Sequence, residues 1–199
     1  MTLPAGYPEL VRRAQSEATW TKPRPDCPHP EFWTALDAMA TEVEVTELVG
    51  AMVRALQPEF CVETGSWSGD TTYVIGAALT RNGHGELVSL EIDEKKAAEA
   101  EARCEGLPVT VLAQSSMSYT PDRPIDFAWF DSACELRPQE FFRYSIAMHD
   151  RTVVGFHDTG PQHPVRELLA PLERSGALQP IYLPTPRGVC FARVNPSRC

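Results

Sequence analysis

The sequence predicts an α/β fold built on a mostly parallel sheet, and three observations carry that prediction. From position 60 onward, short apolar runs alternate with stretches of helical periodicity. Strands separated by helices imply a parallel sheet with right-handed crossovers. Two of the apolar runs, Phe60-Cys61-Val62-Glu63 and Leu87-Val88-Ser89-Leu90-Glu91, end in a carboxylate, and in an open α/β sheet ligands lie beyond the carboxyl ends of the strands. The last two runs are joined only by Pro184-Thr185-Pro186-Arg187. So short a link suits a hairpin, so the last strand should be antiparallel.

The elements follow in order. A short helix is expected over 7–19, then a proline-rich arm, Thr21 to Pro30, whose prolines fix φ and remove donors. Pro30-Glu31-Phe32-Trp33 reads as a helix start, and 46–56 as a helix with Leu48, Val49, Met52, Val53 and Leu56 on one face. Pro58 stops it. A strand over 60–63, a helix over 70–80 and the turn Asn82-Gly83-His84-Gly85 come next, followed by a strand over 86–91 and a helix over 94–104 ended by Gly106. Strands over 109–112 and 125–130, a helix over 138–148, a strand over 152–156 and a helix over 165–174 lead to the closing strands, 178–183 and 188–194. The prediction is a mixed seven-stranded sheet with helices on both faces. Residues 1–40 are expected to be an arm with helices, serving as a lid or an oligomer contact, and 41–199 one domain.

Composition narrows the function classes. A chain of 199 residues suits one domain that buries roughly 70% of its unfolded surface. The formal net charge of -9 comes without a basic stripe, which argues against nucleic acid or an anionic membrane as partner. The six cysteines are spread singly, without C-x-x-C pairs, so neither a zinc knuckle nor a disulfide framework is indicated. No apolar run approaches the ~18 residues of a membrane span. A soluble cytoplasmic protein acting on a small molecule is the expectation.

The turn after the first strand, Glu63-Thr64-Gly65-Ser66-Trp67-Ser68-Gly69, decides which ligand to expect. A dinucleotide fingerprint needs G-x-G-x-x-G, but Glu63 takes the first glycine position and Ser68 the third. A carboxylate there repels a pyrophosphate and attracts an ammonium or a sulfonium. S-adenosylmethionine carries both cations and no phosphate. A NAD-dependent oxidoreductase is therefore the weaker alternative, and a non-catalytic binding module of the same fold is another.

With its acid followed by x-G-x-x-x-G, and the second acid one strand-helix-strand unit later, the sequence from about Thr46 to Val194 resembles the class I S-adenosylmethionine-dependent methyltransferases. That resemblance implies a Rossmann-like fold in which Glu63, Gly65, Ser66 and Gly69 hold the methionine end of the cofactor. Glu91 would accept the ribose hydroxyls, and Ser115 and Ser116 would meet the adenine edge, although serines there also suit helix capping. After the fourth strand comes Asp131, and after the fifth His157-Asp158. Their placement resembles the metal-dependent small-molecule O-methyltransferases, closest to the macrocin and cephalosporin tailoring type, in which the fifth strand runs into His-Asp. The resemblance implies a divalent ion on Asp131, His157 and Asp158, with oxygen ligands favouring magnesium. Without a metal, His157 could itself take the acceptor's proton, assisted by Asp131. One departure stands out: three places after Asp131, where relatives carry a lysine or histidine base, this chain has Cys134. The arm is expected to cover the acceptor site or to exchange between subunits of a homo-oligomer.

Overall fold

The computed structural model describes residues 23–34 and 39–199; the helix expected over 7–19 lies outside them. After a single 3₁₀ turn at Pro30–Phe32, where a helix start was expected, the first long helix is α1 (Val43–Leu56). The alternation then runs β1 (Phe60–Thr64), α2 (Asp70–Asn82), β2 (Glu86–Glu91), α3 (Glu94–Arg103), β3 (Val109–Ala113), β4 (Ile125–Phe130), α4 (Arg137–Tyr144), β5 (Met148–His157), α5 (Val165–Ser175), β6 (Leu178–Leu183) and β7 (Val189–Val194). The strands form one seven-stranded sheet in the order β3-β2-β1-β4-β5-β7-β6. β7 runs antiparallel to both β5 and β6, and the remaining pairs are parallel. Among the described residues no helix is long and apolar enough to cross a membrane.

The period-two alternation of each strand builds two cores. Phe60, Val62, Ala128, Phe130, Val154 and Phe156 point to the side covered by Phe141 and Tyr144 of α4 and by Val165, Leu169 and Leu172 of α5. Their neighbours Cys61, Leu87, Phe127, Trp129 and Phe191 face Val49 and Val53 of α1 and Ile75 and Leu79 of α2. The central strands are apolar on both faces because both are covered.

Helix α1 begins three residues before the expected 46, at Val43, and the largest boundary difference lies between α4 and β5. The helix predicted over 138–148 ends at Tyr144, a 3₁₀ turn follows at Ser145–Ala147, and Met148 already pairs with Ile125. Thr152 explains the difference: its hydroxyl donates to the Ile125 carbonyl (2.6 Å) and accepts from the His149 amide (2.9 Å). That side chain closes the register shift between Ile125 and Phe127, so β5 starts four residues early.

Two glycines set the position of the site. Gly65 has φ 82°, and a Cβ there would lie 2.5 Å from the Asp131 carbonyl oxygen. Gly69 has φ 88°, caps α2, and would strike Ala100 of α3 at 2.7 Å. The first brings the β1 turn against the end of β4; the second seats α2 on α3. Gly65→Ala should lower unfolding stability by about 1–3 kcal/mol through backbone strain and the clash, measured by urea denaturation; an unchanged midpoint would contradict this packing.

Candidate active site

At the carboxyl ends of β1 to β4 lies a cleft of about 350 Å³, a volume suited to a small ligand. One half is walled by Gly65, Ser66, Trp67, Glu91 and the loop Gln114-Ser115-Ser116, and the other by Met39, Thr41, Asp131, Ala133, Leu136 and Arg187. Each predicted strand-end residue is at its strand end. They divide, however, into those that reach the cleft and those that do not.

Glu91 reaches it. Its carboxylate accepts the backbone N–H of Trp67 (2.9 Å) and of Asp93 (3.0 Å), so the end of β2 is tied to the glycine turn. Ser115 and Ser116 line the cleft, but both hydroxyls are engaged elsewhere. Ser115 accepts from the Met117 amide (3.3 Å), a cap, while Ser116 donates to the buried Glu140, which also takes the Thr64 hydroxyl (2.9 Å). Burial raises the Glu140 carboxyl, and the hydroxyls that donate to it oppose the rise.

Glu63 is buried completely at the root of the glycine turn and does not line the cleft. Its Oε2 accepts from Thr72 (2.6 Å) and Ser89 (2.5 Å), while Oε1 has no partner among the described residues. Burial pushes its carboxyl up to about 7, against the lowering effect of the two hydroxyls. The Ser66 hydroxyl, in the same turn, is likewise buried and unpartnered. Of these two, only Ser66 is at the cleft wall, and its unpartnered hydroxyl beside a Cβ-free turn fits a polar group of the methionine end of S-adenosylmethionine.

Beyond β4 and β5 the structure brings Asp131, His157 and Asp158 together, with ligand atoms within 4.8 Å of one another. Asp131 faces the cleft. Its Oδ2 accepts from Thr41 (2.6 Å), and its Oδ1 from Arg137 Nη2 (3.0 Å) and His157 Nδ1 (3.1 Å). Asp158, in a left-handed turn (φ 57°), accepts Arg137 Nη2 (2.8 Å) and a two-pronged approach from Arg187, at 2.6 and 3.1 Å. Its carboxyl is held well below the usual range: burial opposes ionisation, but the His157, Arg137 and Arg187 cations outweigh it. His157 is fully buried, and its Nε2 meets Glu42 Oε2 at 2.6 Å. Burial disfavours the imidazolium, yet Asp131, Asp158 and Glu42 together push its pKa up to about 10. His157 thus carries its proton at neutral pH and donates from both ring nitrogens. Neither nitrogen is left to take a proton from an acceptor or to ligate an ion, and the residue does not line the cleft.

The donor set therefore does not fit a divalent ion. A guanidinium nitrogen already bridges the two carboxylates where such an ion would sit. Cys134, in the place of the relatives' base, is no substitute: burial pushes its thiol up to about 11.

Four residues of this cluster escaped the sequence reading: Thr41, Glu42, Arg137 and Arg187. Arg137 did carry a signal. It opens α4, and a cation at a helix N-terminus opposes the macrodipole, so it needs a compensating anion. Glu42 gave none, since an acid before a helix reads as an ordinary first-turn residue.

The comparisons agree with this architecture. A family model described as a methyltransferase domain matches residues 62–159, the span from β1 through the turn after β5. No curated protein matches the sequence. Among solved structures, an O-methyltransferase from Bacillus cereus in complex with SAH superposes with a TM-score of 0.68 at 15% identity, covering 98% of this chain and 93% of that one. The O-methyltransferase TomG from Streptomyces achromogenes, involved in tomaymycin synthesis and solved with SAM, gives 0.64 at 16% identity, with 98% and 91% covered. SAH-bound methyltransferase PaMTH1 from Podospora anserina gives 0.67 at 14% identity, with 97% and 89% covered. The mixed seven-stranded sheet is the fold this chain shares with these proteins, and residues 62–159 are the part similar to a methyltransferase domain.

The raised Glu63 carboxyl makes stability depend on pH. An unfolded glutamate titrates near 4.5, the folded one near 7, so the folded state holds a proton that the unfolded state has lost, and stability falls as pH rises across that window. Between pH 4.5 and 8 the wild type should lose on the order of 3 kcal/mol relative to Glu63→Gln, measured by urea denaturation at both pH values. Parallel curves for the two proteins would contradict the assignment.

Proposed function

We propose that this protein is an S-adenosylmethionine-dependent methyltransferase that methylates a hydroxyl of a small, largely apolar molecule. The observation that carries this reading is Glu91, a carboxylate fixed in the cleft by two backbone N–H groups at the end of β2, the place for a ribose diol. Gly65 and Ser66 would take the methionine end, Glu63 would act from behind the turn without touching the ligand, and the Gln114–Ser116 loop would flank the adenine. Gly69 serves indirectly, by seating α2 so that its first N–H groups face the turn.

S-adenosylmethionine, when bound, supplies the methyl group on a sulfonium sulfur, which keeps the S–C electron pair as the O–CH₃ bond forms. This chain's contribution is to position the acceptor and remove its proton. Asp131 is the carboxylate on the acceptor side of the cleft. Its Oδ2, shared with the Thr41 hydroxyl, would accept the acceptor's O–H and pass the proton to water. Met39, Ala133 and Leu136 offer apolar surface for the rest of the acceptor. Alignment of the two reactants is the main source of rate in such a site. His157, read from the sequence as a base, is better explained as a positioning residue that holds Asp131. Magnesium held by Asp131, His157 and Asp158, the other expectation, would have to displace the Arg137 guanidinium that bridges the two carboxylates.

Calorimetry should register S-adenosylmethionine and S-adenosylhomocysteine but not NAD. Glu91→Ala should weaken both by about 1.5–3 kcal/mol, the loss of charge-assisted hydrogen bonds; unchanged affinity would remove the ribose assignment. Asp131→Asn should lower turnover on a hydroxylated aromatic panel by about 10²–10⁴ while cofactor affinity holds. Cofactor binding with no turnover on any hydroxyl acceptor would favour the non-catalytic module.

A further inference from the structure

The cluster beyond β4 and β5 contains a second reading that rests on the proposed activity. Its carboxylates are arranged as for a metal ion, with oxygen and nitrogen atoms within 4.8 Å of one another. A divalent ion would bridge Asp131 and Asp158 at 2.0–2.6 Å from each. Arg137 Nη2 occupies that bridging point, 3.0 Å from Asp131 Oδ1 and 2.8 Å from Asp158 Oδ2.

The guanidinium is not a loose surface charge that an ion could push aside. Its side chain is only 2% exposed. Nε donates to the Ser132 carbonyl (2.9 Å) and Nη1 to the His157 carbonyl (2.5 Å), so the planar fork is fixed from four sides. The carboxylates are also already partnered without a metal. Asp131 and Asp158 both meet Arg137, Asp158 also meets Arg187, and Glu42 meets His157 and the Arg187 amide. A divalent ion added here would lie against the Arg137 guanidinium in a buried site, and unpaired buried charge costs several kcal/mol per ion.

We propose that Arg137 is a built-in replacement for a divalent cation: a positioning residue that clamps Asp131 towards the cleft, so that the transferase works without metal and acquires metal affinity only when this guanidinium is removed. The two carboxylates left by its removal are the oxygen-rich pair that a hard cation prefers.

The test is a gain of binding, which a merely structural arginine would not produce. The full chain is titrated with Mn²⁺ alone, by calorimetry and by electron paramagnetic resonance, as wild type, Arg137→Ala and Arg137→Lys. Wild type and Arg137→Lys should bind no Mn²⁺ that Asp131→Asn abolishes. Arg137→Ala should bind one ion at least tenfold more tightly than either, and the added Asp131→Asn should erase the gain. Wild-type turnover should be the same in EDTA as in excess Mg²⁺. Mn²⁺ binding by the wild type that Asp131→Asn removes, chelator-sensitive turnover, or a folded Arg137→Ala without gained affinity would each overturn the proposal. If Arg137→Ala does not fold by circular dichroism, the wild-type and Arg137→Lys titrations decide it alone. S-adenosylmethionine titration of the wild type is scored separately: absent cofactor binding refutes the methyltransferase reading while leaving the Mn²⁺ result standing.

Discussion

One guanidinium ties together the ends of the two central strands beside the cleft. Arg137 joins Asp131 after β4 to Asp158 at the end of β5, and holds the carbonyls of Ser132 and His157 in the same fork. Without it, two carboxylates would face each other in a buried space, and repulsion would protonate one or drive them apart. The glycine turn depends on the same region. Gly65 packs against the Asp131 carbonyl, and the Asp131 amide donates to the Thr64 carbonyl at 2.8 Å. The Gly65 turn and the start of the loop after β4 are thereby held against each other as one unit.

The chain segment before α1 completes that unit from outside the alternating fold. Thr41 bonds Asp131, Glu42 bonds His157 and the Arg187 amide (2.9 Å), and the Ala40 carbonyl accepts from Arg187 Nη1 (3.2 Å). Three consecutive residues thus engage β4, β5 and the β6–β7 link. Burial alone would raise the Glu42 carboxyl, but the His157 imidazolium and the Arg187 amide lower it, so the pair stays ionised. The described part of the arm leans the same way, since the Arg24 amide donates to the Pro186 carbonyl at 2.7 Å. These contacts also explain why Met39 and Thr41 wall a cleft otherwise built from strand ends.

The fold was legible because its signals are local. The apolar runs of β1, β4 and β7, the glycines after α2, α3 and α5, and the four-residue link before β7 each act over a few residues. The order of the strands was not legible, because nothing local says that β7 inserts between β5 and β6. In the site, the strand-end acids Glu63, Glu91, Asp131 and Asp158 were legible from topology alone. Their partners were not. Glu42 lies 115 positions from His157, and Arg187 lies 29 from Asp158, so pairing is a tertiary fact. The expectation of a metal came from seeing the anions without the cations that neutralise them. The expectation of a histidine base came from the residue type without its burial.

The central claim is that the carboxylates around Asp131 are already partnered within the protein, with His157 locked as an imidazolium inside the cluster. Nitrogen-15 NMR of the histidine side chains, followed from pH 5 to 10, reads that state directly. The account predicts that both ring nitrogens of His157, assigned through His157→Gln, stay protonated through pH 8 and begin to titrate only towards pH 10. A titration near the ordinary imidazole value of about 6.5, with one nitrogen becoming a free acceptor, would contradict it and restore His157 as a base.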